Sequence, residues 1–281
     1  MVFLNIAIVL IILSIVIGYI IIRNFSKPLG RHFSKFNDEG IKLEEVSIPT
    51  EKNKKLFGWW IEAKIKAPTI ILMHGWDRNI SQLIPYIKNL NGRGFNVLAF
   101  DTRHHGNSDS DNFSSMVKFA QDISASITFV ENKPTVKNNN FFLIGHSIGG
   151  AASIYAAASD YRIKKIVTIG APSNPSQIMT LHMRKKHIPQ PIIWGTFKIM
   201  EIRIGKSFTK LASATNISKT KAKVLLIHGT NDKIVPFTQA NIILDASNNN
   251  QAELWAITGK GHSNCHSKIG FWDRIIEFLC K

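Results

Sequence analysis

Phe141-Phe142-Leu143-Ile144-Gly145-His146-Ser147-Ile148-Gly149-Gly150-Ala151 is the stretch on which the fold turns. The apolar run 141–144 reads as a strand buried on both faces, and the Ala-rich run 151–158 reads as a helix. Between them stands Gly-x-Ser-x-Gly. That pattern alone recurs by chance, but a strand before it and a helix after it make it specific. A tight strand-to-helix turn needs small neighbours, which Gly145 and Gly149 supply. It lifts the Ser147 hydroxyl to the carboxyl edge of a sheet, beside the unpaired N–H groups of a helix N-terminus. A Gly-rich turn with a capping serine is the bland alternative, and the flanking elements argue against it.

The same rhythm extends in both directions. Short apolar runs at 69–73, 96–100, 140–144, 165–169, 223–227 and 252–257 predict strands. Amphipathic stretches at 79–91, 114–132, 148–159, 238–246 and 268–279 predict helices between them. Upstream, 42–48 and 56–63 flank a polar turn and predict a β-hairpin. Repeated βα units imply an α/β class fold with a mostly parallel sheet covered by helices on both faces. One interval breaks the rhythm. Residues 172–221 are too many for a simple crossover and carry Pro172, Pro175, Pro189 and Pro191, which predicts a helical cap insertion.

A serine hydroxyl needs a base to become a nucleophile, and the base needs a carboxylate to orient it. Each should stand at the end of a later strand. The run 223–227 leads into His228-Gly229-Thr230-Asn231-Asp232, and 252–257 leads into Gly259-Lys260-Gly261-His262. The candidate catalytic set is therefore Ser147, Asp232 and His262, in the chain order Ser, Asp, His. Against His262 stands His266, which lacks the Gly-x-Gly turn before it. Against Asp232 stands Asp245, inside a predicted helix. His228 reads as structural. The backbone N–H groups of Ile148 and Trp76 are the candidate oxyanion hole, with Gly145 and Gly149 forming the nucleophile elbow. His74 reads as a brace for the Gly75-Trp76 loop. No cofactor is expected. A metal at His262, Cys265 and His266 lacks any recognisable zinc spacing, so no metal is expected either.

These motifs resemble those of the α/β-hydrolase superfamily, most closely its lipase-, esterase- and peptidase-like serine hydrolases. The resemblance runs from about 55 to 280 through His74-Gly75-Trp76, the segment from Asp101 to Ser108, Gly145 to Gly150, His228 to Pro236, and Gly259 to His262. It implies the α/β-hydrolase fold and acyl transfer to water through an acyl-enzyme on Ser147. Ester or thioester cleavage is the first expectation. A peptidase or amidase on the same triad, or a non-catalytic binding protein of that fold, is the alternative. His104 departs from the pattern, standing where the family often has Gly.

Residues 2–22 contain no Asp, Glu, Lys or Arg, enough to span a bilayer as a helix of about twenty residues. The run lacks the basic start and small-residue cleavage site of a signal peptide. The sequence therefore divides into a transmembrane anchor at 1–22, a basic juxtamembrane linker at 23–40, and a hydrolase domain at 41–281 that includes the cap. Arg23, Lys27, Arg31 and Lys35 follow the span, which favours a single-pass protein with a cytoplasmic catalytic domain; the extracytoplasmic orientation is the alternative. Within 172–221 the one acidic residue is Glu201, against Arg184, Lys185, Lys186, Lys198, Arg203, Lys206 and Lys210. With the bulky apolar residues between them, these cations suit either a lid resting on lipid or an ordinary solvated basic face. The expected partners are a small-molecule or lipid-like acyl substrate, and the membrane through the N-terminal helix and linker. The formal charge of +16 also admits nucleic acid, but no nucleic-acid motif accompanies it and none is expected to bind. Two cysteines cannot form a disulfide framework.

Overall fold

The computed structural model describes residues 2–26, 36, 40–63, 67–136 and 140–281. Most of the linker expected at 23–40 lies outside the described residues. The chain opens with helix α1 (Val2–Ser26) and then a hairpin of β1 (Leu43–Thr50) and β2 (Lys54–Ile61). Strand–helix alternation follows: β3 (Thr69–Met73), α2 (Ile84–Asn91), β4 (Asn96–Phe100), α3 (Met116–Glu131), β5 (Phe141–His146), α4 (Ile148–Ala157) and β6 (Ile163–Ile169). Four helices then intervene: α5 (Pro175–Lys185), α6 (Gln190–Ile204), α7 (Phe208–Leu211) and α8 (Ser213–Asn216). The domain closes with β7 (Lys223–Gly229), α9 (Thr238–Asp245), β8 (Ala252–Ile257) and α10 (Phe271–Cys280).

The strands form one eight-stranded sheet in the order β1-β2-β4-β3-β5-β6-β7-β8. β1–β2 and β2–β4 are antiparallel, and every later pairing is parallel. This is the α/β-hydrolase fold. The central strands are apolar on both faces because both faces are covered. In β3, Ile71 and Met73 join a core with α3 and α4, while Ile70 and Leu72 join the core under α2 and α10.

The chain steps from β3 outward to β4, then returns past β3 to β5. The carboxyl ends of β3 and β5 thus flank the point where strand order reverses, which is where open α/β sheets leave a ligand crevice.

Some boundaries differ from the sequence expectation for local reasons. β5 continues through Gly145 and His146 because His146 still pairs with Ile169 of β6. The last helix starts at Phe271, not 268, because Gly270 takes a left-handed φ of 76° before it. The helix expected from 79 begins as a 3-10 turn, Ile80–Leu83, capped by the Asn79 side chain accepting from the Ser81 N–H.

α1 packs against α6: Ile17, Ile21, Met183, Ile193 and Phe197 make a small core between the N-terminal helix and α5–α6. The rest of its described surface is mostly apolar and open, with Ile15 65% and Tyr19 65% exposed. Among the described residues, no helix is long and apolar enough to cross a membrane.

Candidate active site

β5 ends at His146, and Ser147 follows with φ 54° and ψ −121°, a strained conformation for a residue with a Cβ. Tertiary contacts hold it there. The Ser147 N–H donates to the Ile169 carbonyl at 2.8 Å, and α4 starts at the next residue. The turn tolerates no extra atoms. A Cβ on Gly145 would lie 2.5 Å from the Gly150 nitrogen, and one on Gly149 would lie 2.5 Å from the His74 carbonyl oxygen. A Cβ on Gly75, in the loop after β3, would come within 3.5 Å of Ser147 Cβ.

Asp232 follows β7 and is buried. Its Oδ1 accepts from the N–H groups of Ile234 and Val235, both at 2.9 Å, which curls the loop around the carboxylate. Its Oδ2 accepts from His262 Nδ1 at 2.7 Å. His228 Nε2 lies 3.4 Å from the same oxygen while donating to the Val235 carbonyl at 2.8 Å. Burial works to raise the Asp232 pKa, but the hydrogen bonds from His228 and His262 outweigh it and hold the group below the usual carboxylate range. An ionised acceptor at Oδ2 requires the proton on His262 Nδ1, which leaves Nε2 as the basic nitrogen. Gly170 makes room for this pair at the end of β6. Its φ is 63°, and a Cβ there would stand 3.0 Å from His262 Nδ1 and 3.3 Å from Asp232 Oδ2.

Ser147 and His262 share the wall of one cavity of about 460 Å³, together with Trp76 and Ile148. Ile148 is the first residue of α4, so no carbonyl of that helix can reach its N–H. The roof comes from Ile178, Met179 and His182 of α5, Met200 and Ile204 of α6, and Phe208 of α7. Of the sequence-predicted site residues, Trp76, Ser147, Ile148 and His262 line this cavity, Asp232 bonds His262 from outside its wall, and Gly145 and Gly149 lie in the turn that carries Ser147. His266, in a short turn, and Asp245, at the end of α9, are not in its wall. A larger open groove of about 1160 Å³ lies between β1, α3 and Lys206 and contains no histidine.

Several positioning groups carried no sequence signal. His146, the variable residue of the turn, is buried, and its ring centroid is 4.8 Å from that of His262. Burial first, and the neighbouring His262 second, push its pKa down to about 3, so the ring is neutral. Its Nε2 donates to the His262 carbonyl at 2.8 Å. Its Nδ1 accepts from Gln82 Nε2 at 3.3 Å, and Gln82 Oε1 accepts from the Gly75 N–H at 3.0 Å. One chain of hydrogen bonds thus ties the loop after β3, the Ser147 turn and the His262 loop.

His74 is fully buried and neutral, its pKa lowered to about 4 by burial. Its Nδ1 donates to the Gly75 carbonyl at 2.8 Å and its Nε2 accepts from the Thr102 N–H at 3.1 Å, bracing two loops. His104 takes φ 70°, which explains why glycine suits that position; its Nδ1 accepts from the Asp111 N–H at 3.1 Å. It is not in the cavity wall, so it does not narrow the pocket. Among the described residues, no group of His, Cys, Asp and Glu is arranged to hold a metal ion.

A family model described as serine aminopeptidase, S33, matches residues 64–190. A thiohydrolase, apmlB, of Arthrinium phaeospermum is 29% identical over 148 residues, 52% of this chain and 48% of that protein. A polyketide transferase, af380, of Aspergillus fumigatus is 27% identical over 134 residues, 47% of this chain and 46% of that protein. The chain spans about half the length of these curated relatives. Among solved structures, the Pyrococcus furiosus esterase Pf2001 superposes with a TM-score of 0.73 at 23% identity, over 90% of this chain and 98% of that one. Sheet order and the superposition show that the chain has the α/β-hydrolase fold, and residues 64–190 match the serine aminopeptidase family model.

Proposed function

We propose that this protein is a serine hydrolase that cleaves an acyl ester or thioester through Ser147, His262 and Asp232. His262 Nε2 takes the Ser147 proton as Oγ attacks the acyl carbon. The N–H groups of Trp76 and Ile148 receive the negative charge that forms on the carbonyl oxygen. Asp232 holds the imidazolium, which then gives its proton to the departing alcohol or thiol. Water, deprotonated by His262, attacks the acyl-enzyme and releases the acid. The observation that supports this reading most is the 2.7 Å bond from His262 Nδ1 to Asp232 Oδ2, with Ser147 and His262 in one cavity wall. The thiohydrolase and esterase among the similar proteins favour esters and thioesters, whereas the S33 family description favours peptides as the second reading.

A fluorophosphonate probe tests the chemistry. Labelling of the wild type that is absent in Ser147→Ala supports the reading, and equal labelling of both overturns it. Parallel assays with an acyl ester, an acyl thioester and an aminoacyl anilide separate the substrate classes.

In the same reading, residues 1–22 anchor the protein in a membrane, 23–40 form a basic linker, and 41–281 form the catalytic domain with the cap at 172–221. The uncharged run at 2–22 and the cations after it support the anchor and a cytoplasmic catalytic domain. Exposed Trp194, Ile199 and Ile202 on α6, interspersed with Lys198 and Arg203, support a cap that faces lipid. Recovery of the full chain in a membrane fraction that resists alkaline carbonate supports the anchor; release by carbonate overturns it.

A further inference from the structure

We infer that Arg78, at the open end of the cavity, recognises an oxyanion on the leaving group, a carboxylate or phosphate carried by the departing alcohol or thiol. This inference rests on the hydrolase reading and names a substrate class within it. The cavity has two unlike ends. Met116, Met200, Phe208 and Leu211 line it and are 5%, 5%, 7% and 1% exposed. They offer an enclosed apolar surface, which suits the acyl chain. Arg78, Ile234 and Ser263 line the same wall but are exposed, so they mark the end open to solvent. Ser263 follows His262, and Ile234 belongs to the loop that curls around Asp232. The leaving group takes its proton from His262, so it departs on this side, towards the open end.

Arg78 meets it there. Among the described residues, the guanidinium makes no hydrogen bond or ion pair. Its charge is felt inside the site: it is one of the causes that lower the pKa of His146, whose ring lies against that of His262. Among the described residues, the one acidic side chain in the cavity wall is Asp77, which already has a partner within the protein. An uncommitted guanidinium presents a planar fork of N–H donors that matches a carboxylate or a phosphate. A leaving group with an oxyanion completes that fork as it passes the mouth, whereas a cationic one is repelled.

The backbone beneath Arg78 is held in place without a ligand. Its N–H donates to the Gly75 carbonyl at 3.3 Å, closing a turn in which Asp77 takes φ 60°. The Gly75 N–H donates to Gln82 Oε1 at 3.0 Å on one side of that turn, and the Ile80 N–H donates to Asp101 Oδ1 at 2.6 Å on the other. The turn that carries Trp76, the candidate oxyanion donor, thus also carries Arg78. The side chain starts from a preorganised position, as a specificity determinant should.

The test is a set of hexanoyl thioesters, followed by release of the free thiol. The leaving groups are 3-mercaptopropanamide as the neutral one, 3-mercaptopropionate and 2-mercaptoethyl phosphate as the anionic ones, and thiocholine as the cationic one. The kcat/KM of each is divided by that of the neutral thioester, and the ratio is compared between wild type and variant, so intrinsic reactivity cancels. Arg78→Ala should lower the anionic ratios by roughly fivefold, mostly through KM, the scale of one partly exposed charge pair. Arg78→Lys should retain part of the preference, and Arg78→Glu should raise the thiocholine ratio. In wild type the anionic ratios should fall as salt rises from about 20 mM to about 500 mM. A fall confined to the carboxylate or to the phosphate thioester supports the inference and names the anion. Ratios unchanged in both Arg78→Ala and Arg78→Glu, with the thioesters turned over, overturn it while leaving the hydrolase reading intact. No turnover of any thioester, together with no fluorophosphonate labelling, overturns the hydrolase reading and the inference with it.

Discussion

His146 Nε2 lies 2.8 Å from the carbonyl oxygen of His262, so the residue before the candidate nucleophile grips the backbone of the candidate base. The contact spans 116 positions in the chain and continues through Gln82 to the Gly75 N–H. It fixes where the His262 ring stands relative to Ser147.

His146→Phe keeps the ring volume and removes both nitrogens. We expect kcat for a p-nitrophenyl ester to fall by roughly tenfold, in line with one lost hydrogen bond of about 1–1.5 kcal/mol, with KM nearly unchanged. Gln82→Ala should give a smaller fall in the same direction. Steady-state kinetics on the purified variants check both, and a change confined to KM would contradict the positioning role.

Asp232→Asn should lower kcat by about 10⁴-fold with the domain still folded. The amide oxygen can keep the bonds from the Ile234 and Val235 N–H groups. The amide nitrogen then faces His262 Nδ1 as a donor and favours the wrong tautomer. Circular dichroism beside the ester assay separates this from unfolding.

Gly170→Ala should impair the same pair from the opposite side. The new methyl would sit 3.0 Å from His262 Nδ1, on a residue already at φ 63°. We expect a stability loss of about 1–3 kcal/mol from the backbone conformation, read from urea unfolding, with kcat reduced more than KM.

The contribution of His74 and His146 to stability should fall on acidification below about pH 6.5. Burial depresses the pKa of His74 to about 4 and of His146 to about 3, both from an ordinary 6.5. Below 6.5 the unfolded chain binds protons at these rings and the folded chain does not. Their contribution is therefore fully present above 6.5 and is lost as pH falls towards 4 and 3. The slope is at most about 1.4 kcal/mol per pH unit for each ring. Urea midpoints at pH 7, 6, 5 and 4 should show the wild type losing stability relative to His146→Phe as pH falls, and an unchanged difference would contradict the assignment.

The fold was legible wherever burial on both faces made a strand uniformly apolar. The runs 69–73 and 96–100 coincide with β3 and β4, which are buried throughout, while 252–257 coincides with β8, an edge strand only partly buried. Strand order was not legible, because pairing β4 outside β3 depends on long-range register that no local pattern records. Ser147, Asp232 and His262 could be put forward as candidates because each follows a strand in a motif of fixed spacing. His146, Gln82, His228 and Gly170 could not. Their placement depends on which loops meet at the crevice, and nothing near them in sequence distinguishes them from ordinary turn or strand-end residues. The contact of α1 with α6 was equally silent, since one apolar helix face looks like any other.

That contact has a wider meaning. Met179 packs towards the seam with α1 and also lines the cavity above Ser147. Helices α5 and α6 are thus a party wall, with the N-terminal helix leaning on one side and the reaction chamber on the other. A shortened chain that begins after residue 26 would strip the plaster from one side of that wall, so its ester kinetics would describe a different room from the one the whole protein encloses.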